Sequence, residues 1–162
     1  MSSAPSVTTL HDRLPGDWSV KATNFPMWLK GDRLQPRFRY GLITESPLVL
    51  SDEVAWVDAE TGEEKTLPGR DTWRGDEFVW RGTGLLRLVA SRWTVAASSD
   101  DGTIAVVRFS KSLATPAGVD VIVREDAEHP EVRATIAHST ERFGLTPEDF
   151  GSLSWLVAGR TG

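Results

Sequence analysis

Three carboxylates stand inside stretches of alternating apolar and polar residues rather than in turns: Glu53, Asp71 and Asp120. A carboxyl turned into an apolar interior has its charged form disfavoured, so its pKa rises and it can serve as a general acid or base near neutrality. Turned outward, the same residue is an ordinary solvated strand position, because charged side chains are seldom buried unpaired. Tyr40, the one tyrosine, shares a strand face with Phe38 and Leu42. Its hydroxyl could polarise a carbonyl of a bound molecule, or the ring could fill core with one hydrogen bond. Tyr40, Asp71 and Asp120 are the candidate acid–base groups.

A second set of residues suits anion recognition. Arg81, Arg87, Arg92 and Arg108 lie in or beside strands that are otherwise apolar. Arg108 is the sharpest case, since Ile104, Val106 and Arg108 share one face of Thr103–Lys111. If that face is the interior, Arg108 calls for a carboxylate, from an Asp or from a ligand. If Ala105, Val107 and Phe109 point inward instead, Arg108 is solvent-facing. Other chemistries are poorly served. His11, His129 and His138 are scattered, and no set of three or four zinc ligands at suitable spacing is visible. Cysteine and a Gly-x-Ser-x-Gly segment are both absent, which disfavours a Ser–His or Cys–His nucleophile.

The elements that would hold these groups are short strands. Alternation runs through Gly16–Thr23, Arg37–Thr44, Leu48–Asp58 and Glu63–Leu67, and Pro68-Gly69 then kinks or ends the strand. It resumes in Asp71–Arg74, Glu77–Arg81, Ser91–Ser98, Thr103–Lys111 and Val119–Arg124. Turn signals such as Gly75-Asp76 and Asp100-Asp101-Gly102 separate them at hairpin distance, which reads as an antiparallel meander. Closing such a meander into one barrel removes its edges, and is preferred here over a two-sheet sandwich. The expected fold is all-β, a single up-and-down barrel over 16–125. A disordered or partly helical lead-in covers 1–15, and helices over 126–162 pack on the barrel. Phe25–Leu29 breaks the alternation and suits a lid or a buried plug. Pro130 and Thr146-Pro147 mark starts of the terminal helices, and Gly144 a stop.

The composition agrees with one domain of 162 residues. Net charge is −5, which argues against nucleic acid as a partner, although arginines cluster at 33–39 and 70–92. No stretch approaches the about 18 apolar residues of a membrane span, no leader is apparent at the start, and cysteine is absent, so the expected location is the cytoplasm. Seven tryptophans are many for this size. Trp28, Phe38, Tyr40, Trp56, Trp73, Trp80 and Trp93, with Arg81 and Arg108 as polar anchors, are the expected lining of a cavity.

Gly16-Asp17-Trp18, opening the first strand of a meander, resembles the calycin superfamily of lipocalins, fatty-acid-binding proteins and nitrobindin-like barrels. Asn24–Leu29, Phe78–Leu86 and Thr115–Asp120 are not lipocalin signatures and look like features of a separate lipocalin-like subfamily of actinobacteria. The resemblance implies that Trp18 plugs the closed end and packs against an arginine of the last strand, a place that Arg124 occupies. It implies binding of a small hydrophobic or amphipathic ligand, with internal arginines holding any carboxylate. A cofactor-free isomerase, cyclase or decarboxylase is the alternative. Haem, held by a histidine as in nitrobindin-like barrels, comes third, with His138 the nearest analogue. No other cofactor is expected, and the oligomeric state is open.

Overall fold

The computed structural model describes residues 4–112 and 115–156. Eight strands form its body: β1 (Gly16–Thr23), β2 (Arg33–Glu45), β3 (Leu48–Asp58), β4 (Glu64–Trp73), β5 (Phe78–Gly82), β6 (Ala90–Ser98), β7 (Ile104–Phe109) and β8 (Gly118–Arg124). Each pairs antiparallel with the next, and β1 pairs with both β8 and β2, so the ring closes. Closure excludes the two-sheet sandwich. β1 serves two neighbours by bending: Gly16–Ser19 pair with β2, Trp18–Thr23 pair with β8, and the register shifts between Val20 and Ala22. Past that bulge, the two-residue strand β9 (Ser154–Trp155) covers the edge of β1 at Ala22 and Thr23.

One expectation needs correcting. Pro68-Gly69 does not end a strand, and β4 runs unbroken from Glu64 to Trp73. Proline removes one donor, but its φ remains compatible with extended backbone, so the ladder tolerates it locally. In the lead-in, expected to be disordered or partly helical, residues Val7–Arg13 form helix α1, which Ser6 caps by accepting from the Thr9 N–H. The reason is burial: Leu10 and Leu14 are packed under the barrel with Trp18. Residues 1–3 of the expected lead-in lie outside the described residues, as do 157–162 of the C-terminal region.

That end of the barrel is closed by a compact joint. The Trp18 indole N–H donates to the Leu14 carbonyl at 2.9 Å, and the Arg124 guanidinium lies 4.7 Å from the Trp18 ring centroid. Arg124 also donates to the carbonyls of Arg13 and Pro15. Gly16 adopts φ +134° there, and a Cβ on it would sit 2.4 Å from the Arg124 guanidinium. Only glycine meets both demands.

β7 and β8 are buried on both faces. Their inward residues join the barrel core, while outward Ile104, Val106, Val119 and Val121 join a second core with Val132, Ile136, Phe143 and Leu153. The second set comes from helix α3 (Val132–His138), the turn after it and the flank of helix α4 (Pro147–Ser152). Gly144 ends the turn at φ 69°, and Thr146 and Asp149 form a reciprocal capping box on α4.

Candidate ligand-binding cavity

Aromatic rings fill the middle of the barrel. Trp93 stacks on Phe78 with centroids 4.7 Å apart and on Tyr40 at 5.6 Å, and Phe109 lies 6.1 Å away. Beyond this layer the interior is not filled. A cavity of about 180 Å³ opens there, walled by Trp28, Trp56, Trp80, Phe38, Tyr40 and Trp93.

The short helix α2 (Pro26–Leu29) roofs part of it. The Asn24 side-chain carbonyl accepts from the Val119 N–H at 2.7 Å, and the Phe25 N–H donates to the Thr23 hydroxyl at 2.9 Å. The Phe25 ring lies where a Cβ on Gly118 would be. These contacts turn the chain sharply after β1 and seat Trp28 inward, 6.2 Å from Trp56. Trp28 is therefore buried in this arrangement, and Pro26 and Leu29 are the exposed residues of the helix. At the rim the Arg33 guanidinium lies 4.6 Å from the Trp56 ring centroid.

Three carboxyls face this interior. On β3 the alternation Leu50, Asp52, Val54, Trp56 turns Asp52 inward; on β4, Leu67, Gly69 and Asp71 do the same; on β8, Asp120 and Ile122. Asp52 and Asp120 line the cavity, whereas Asp71 lies behind the wall, fully buried. Asp71 accepts from the Trp93 indole N–H at 2.9 Å and is in hydrogen-bonding contact with Asp52. Burial pushes Asp52 up to about 6, with the Asp71 contact acting against the rise. Burial, and then the neighbouring Asp52 charge, push Asp71 well above the carboxylate range. Two carboxyls so placed cannot both ionise, and Asp71 keeps the proton.

Asp120 is lifted to about 7 by burial. The Thr23 hydroxyl and the Trp28 indole sit beside it and favour its ionised form. Neither reaches it with hydrogen-bond geometry, and both Asp120 oxygens stay unpaired. Tyr40 is held neutral by burial, with Asp52, Asp71 and Asp120 adding to the effect. The Trp80 indole N–H is unpaired as well. Its ring lies flat on Gly69, where a Cβ would come within 2.3 Å of it.

Of the residues expected from sequence, Trp28, Phe38, Tyr40, Trp56, Trp80, Trp93 and Asp120 meet at the cavity. Trp73 does not, and packs edge-on against Phe78 at 5.0 Å. The arginine anchors are corrected. Arg81 is exposed on the outer wall, and Arg108 points outward to Asp149 and donates to the Gly144 carbonyl at 2.7 Å. The cause is that Ala105 and Val107 belong to the barrel core, while the face carrying Arg108 meets the C-terminal layer. Glu53 pairs with Arg39 outside, Arg92 pairs with Glu77, and Arg87 is exposed. Haem through His138 does not fit. That residue is exposed on α3, His11 lies by Asp12 and Glu45, and His129 bonds Thr103, so no histidine faces the cavity. Asp52, Gly69 and Arg33 are site residues that the sequence reading passed over. For Asp52 the signal was present, because it shares its face with Leu50, Val54 and Trp56.

No protein-family model matches the chain, and no curated protein matches it in sequence. Among solved structures it is similar to apocrustacyanin C2, with a TM-score of 0.65 and 10% identity over 99% of this chain and 91% of that one. Lobster apocrustacyanin A1 gives the same TM-score, identity and coverage. The siderocalin Ex-FABP, described as functioning through dual ligand specificities, is similar at a TM-score of 0.61 and 15% identity, over 92% of this chain and 97% of that one. At such identities the likeness concerns the fold alone: the chain forms a closed antiparallel barrel like those of these structures.

Proposed function

We propose that this protein binds a small, mostly apolar molecule in the cavity above Trp93. One observation carries the reading: an aromatic-walled space in the barrel interior holds two unpaired buried polar groups, the Asp120 carboxyl and the Trp80 N–H. A buried polar atom without a partner costs about 1–3 kcal/mol, and a ligand that supplies the partner recovers it. A dry cavity on the order of 150 Å³ holds benzene, so about 180 Å³ suits one ring with a short chain. The dual ligand specificities of the siderocalin neighbour support a barrel of this shape as a ligand seat.

The test is a titration of intrinsic tryptophan fluorescence with ring-sized compounds. Saturable quenching is expected, and Ser91→Phe, which fills the cavity from β6, removes it. If no such compound binds, or the filled variant binds equally, the reading falls.

A second reading, cofactor-free acid–base chemistry on the bound molecule, is favoured by Asp120. Its carboxyl is unpaired, at the cavity wall, and titrates at about 7, where proton transfer in both directions is efficient. Turnover of a bound compound that vanishes in Asp120→Asn while binding persists would support it. Recovery of every bound compound unchanged would end it.

A further inference from the structure

We propose that the cavity selects a cationic nitrogen: a ring-sized amine whose ammonium group sits inward between Asp120 and Asp52. The inference rests on the cavity being the ligand site. It starts from the sign of the interior. The ionisable groups facing this space are Asp52, Asp120, Tyr40 and, behind the wall, Asp71; Arg33 at the rim is the one cation among the described lining residues.

Hydrogen-bond demand points the same way. Asp120 is 1% exposed, and neither of its carboxyl oxygens has a hydrogen-bond partner. These are acceptors that lack donors. An ammonium offers three donors, an alcohol one, and a carboxylate none. A carboxylate ligand would instead add an anion beside two acids and, among the described residues, find no buried cation to meet it. The walls agree, since Trp28, Trp56 and Trp80 line the space, and indole rings attract a cation.

Two features set the orientation. Arg33 stands at the rim over Trp56 and repels an ammonium left at the mouth, so the nitrogen goes inward. Trp80, 7% exposed, holds an unpaired N–H within the cavity wall. It calls for an acceptor elsewhere on the ligand, such as a hydroxyl or carbonyl oxygen. The ligand class is therefore an aryl-alkylamine carrying an oxygen function.

The acids are linked to the ligand by protons. An alkylamine stays charged to about pH 10, while Asp52 and Asp120 ionise in the folded protein at about 6 and about 7. Amine affinity therefore rises with pH between those values, as the carboxyls lose their protons to solvent.

The experiment is calorimetric titration with three shape-matched probes: phenethylamine, phenethyl alcohol and hydrocinnamate. The amine is expected to bind at least about tenfold tighter than the alcohol, a difference of about 1.4 kcal/mol, with the carboxylate weakest. Its affinity should climb between about pH 5 and pH 8, while that of the alcohol stays flat. Asp120→Asn should weaken the amine about tenfold more than it weakens the alcohol. If alcohol or carboxylate binds as tightly as amine, and Ser91→Phe still abolishes it, the cavity stands and the cation preference is wrong. If none of the three binds, both readings fall. The pH profile of the unaltered protein decides the matter even where Asp120→Asn does not fold.

Discussion

Asp71 lies diagonally behind Asp52 across the β3–β4 ladder, and the two carboxyls meet inside the barrel. Gly69, directly opposite Asp52, carries no side chain, and the Trp80 indole occupies the space this leaves. Three strands thus build one polar feature in an aromatic interior. Its consequences are measurable.

Stability should fall as pH rises from about 4 to about 7. Unfolded, these aspartates ionise near pH 4; folded, Asp52 keeps its proton to about 6, Asp120 to about 7 and Asp71 higher still. Over that window the folded state binds more protons, so ∂ΔG/∂pH is negative, about 1.4 kcal/mol per pH unit per extra proton. Below about pH 4 the sign reverses, because Asp101 is held down to about 2 by Ser99 and Thr103. Thermal melts should give a Tm several degrees higher at about pH 5 than at pH 8. Asp120→Asn should flatten that slope and raise Tm at the higher pH. A Tm that climbs between the two would contradict the buried acids.

Trp93→Phe should destabilise by about 2–4 kcal/mol, combining a small cavity with an unpaired Asp71 oxygen. Chemical denaturation measures it. A cost under about 0.5 kcal/mol, the size of a surface substitution, would mean that the 2.9 Å bond to Asp71 carries no weight.

Arg124→Ala should cost about 2–4 kcal/mol through the ring contact with Trp18 and the bonds to two carbonyls. Gly16→Ala should cost at least about 1 kcal/mol at the same joint, from its positive φ and the clash with the guanidinium. Both show as lowered denaturation midpoints. Hydrogen exchange should place the added opening at α1 and β1.

Gly69→Ala tests the bed of Trp80. A methyl group placed 2.3 Å from the indole forces the ring away, at about 1–3 kcal/mol. The variant should shift tryptophan emission and weaken ligand quenching together. Unchanged emission would show that the ring does not rest there.

Arg108→Ala should loosen the C-terminal layer and leave the cavity alone. It removes the contacts to Asp149 and the Gly144 carbonyl, costing about 1–3 kcal/mol. Ligand affinity should stay within about twofold, less than half a kcal/mol. A larger loss of affinity would restore Arg108 to the site.

The barrel was legible because alternation and turn chemistry are local, and eight strands at hairpin spacing leave few ways to hide their edges. Trp18 and Arg124 could be placed at one joint only through the resemblance to calycin barrels, not from alternation. The acids were less legible. Asp52 has the parity of Leu50, Val54 and Trp56, but an isolated buried acid is rare enough that its charge argues against its position.

By itself, then, the sequence determined a meander of short strands and which residues share a face, and it favoured closure without excluding a sandwich. It did not determine which face is inside. On β7 the two faces, Ile104-Val106-Arg108 and Ala105-Val107-Phe109, are both mostly apolar because both are buried, one by the barrel and one by α3 and its flanking turns. Period two cannot break that tie. Only the packing of the C-terminal layer turns Arg108 out, and only the ring of neighbours around Asp52, Asp71 and Asp120 makes the interior acidic. That inversion, arginines outside and carboxyls within, comes from tertiary contacts between residues far apart in the chain.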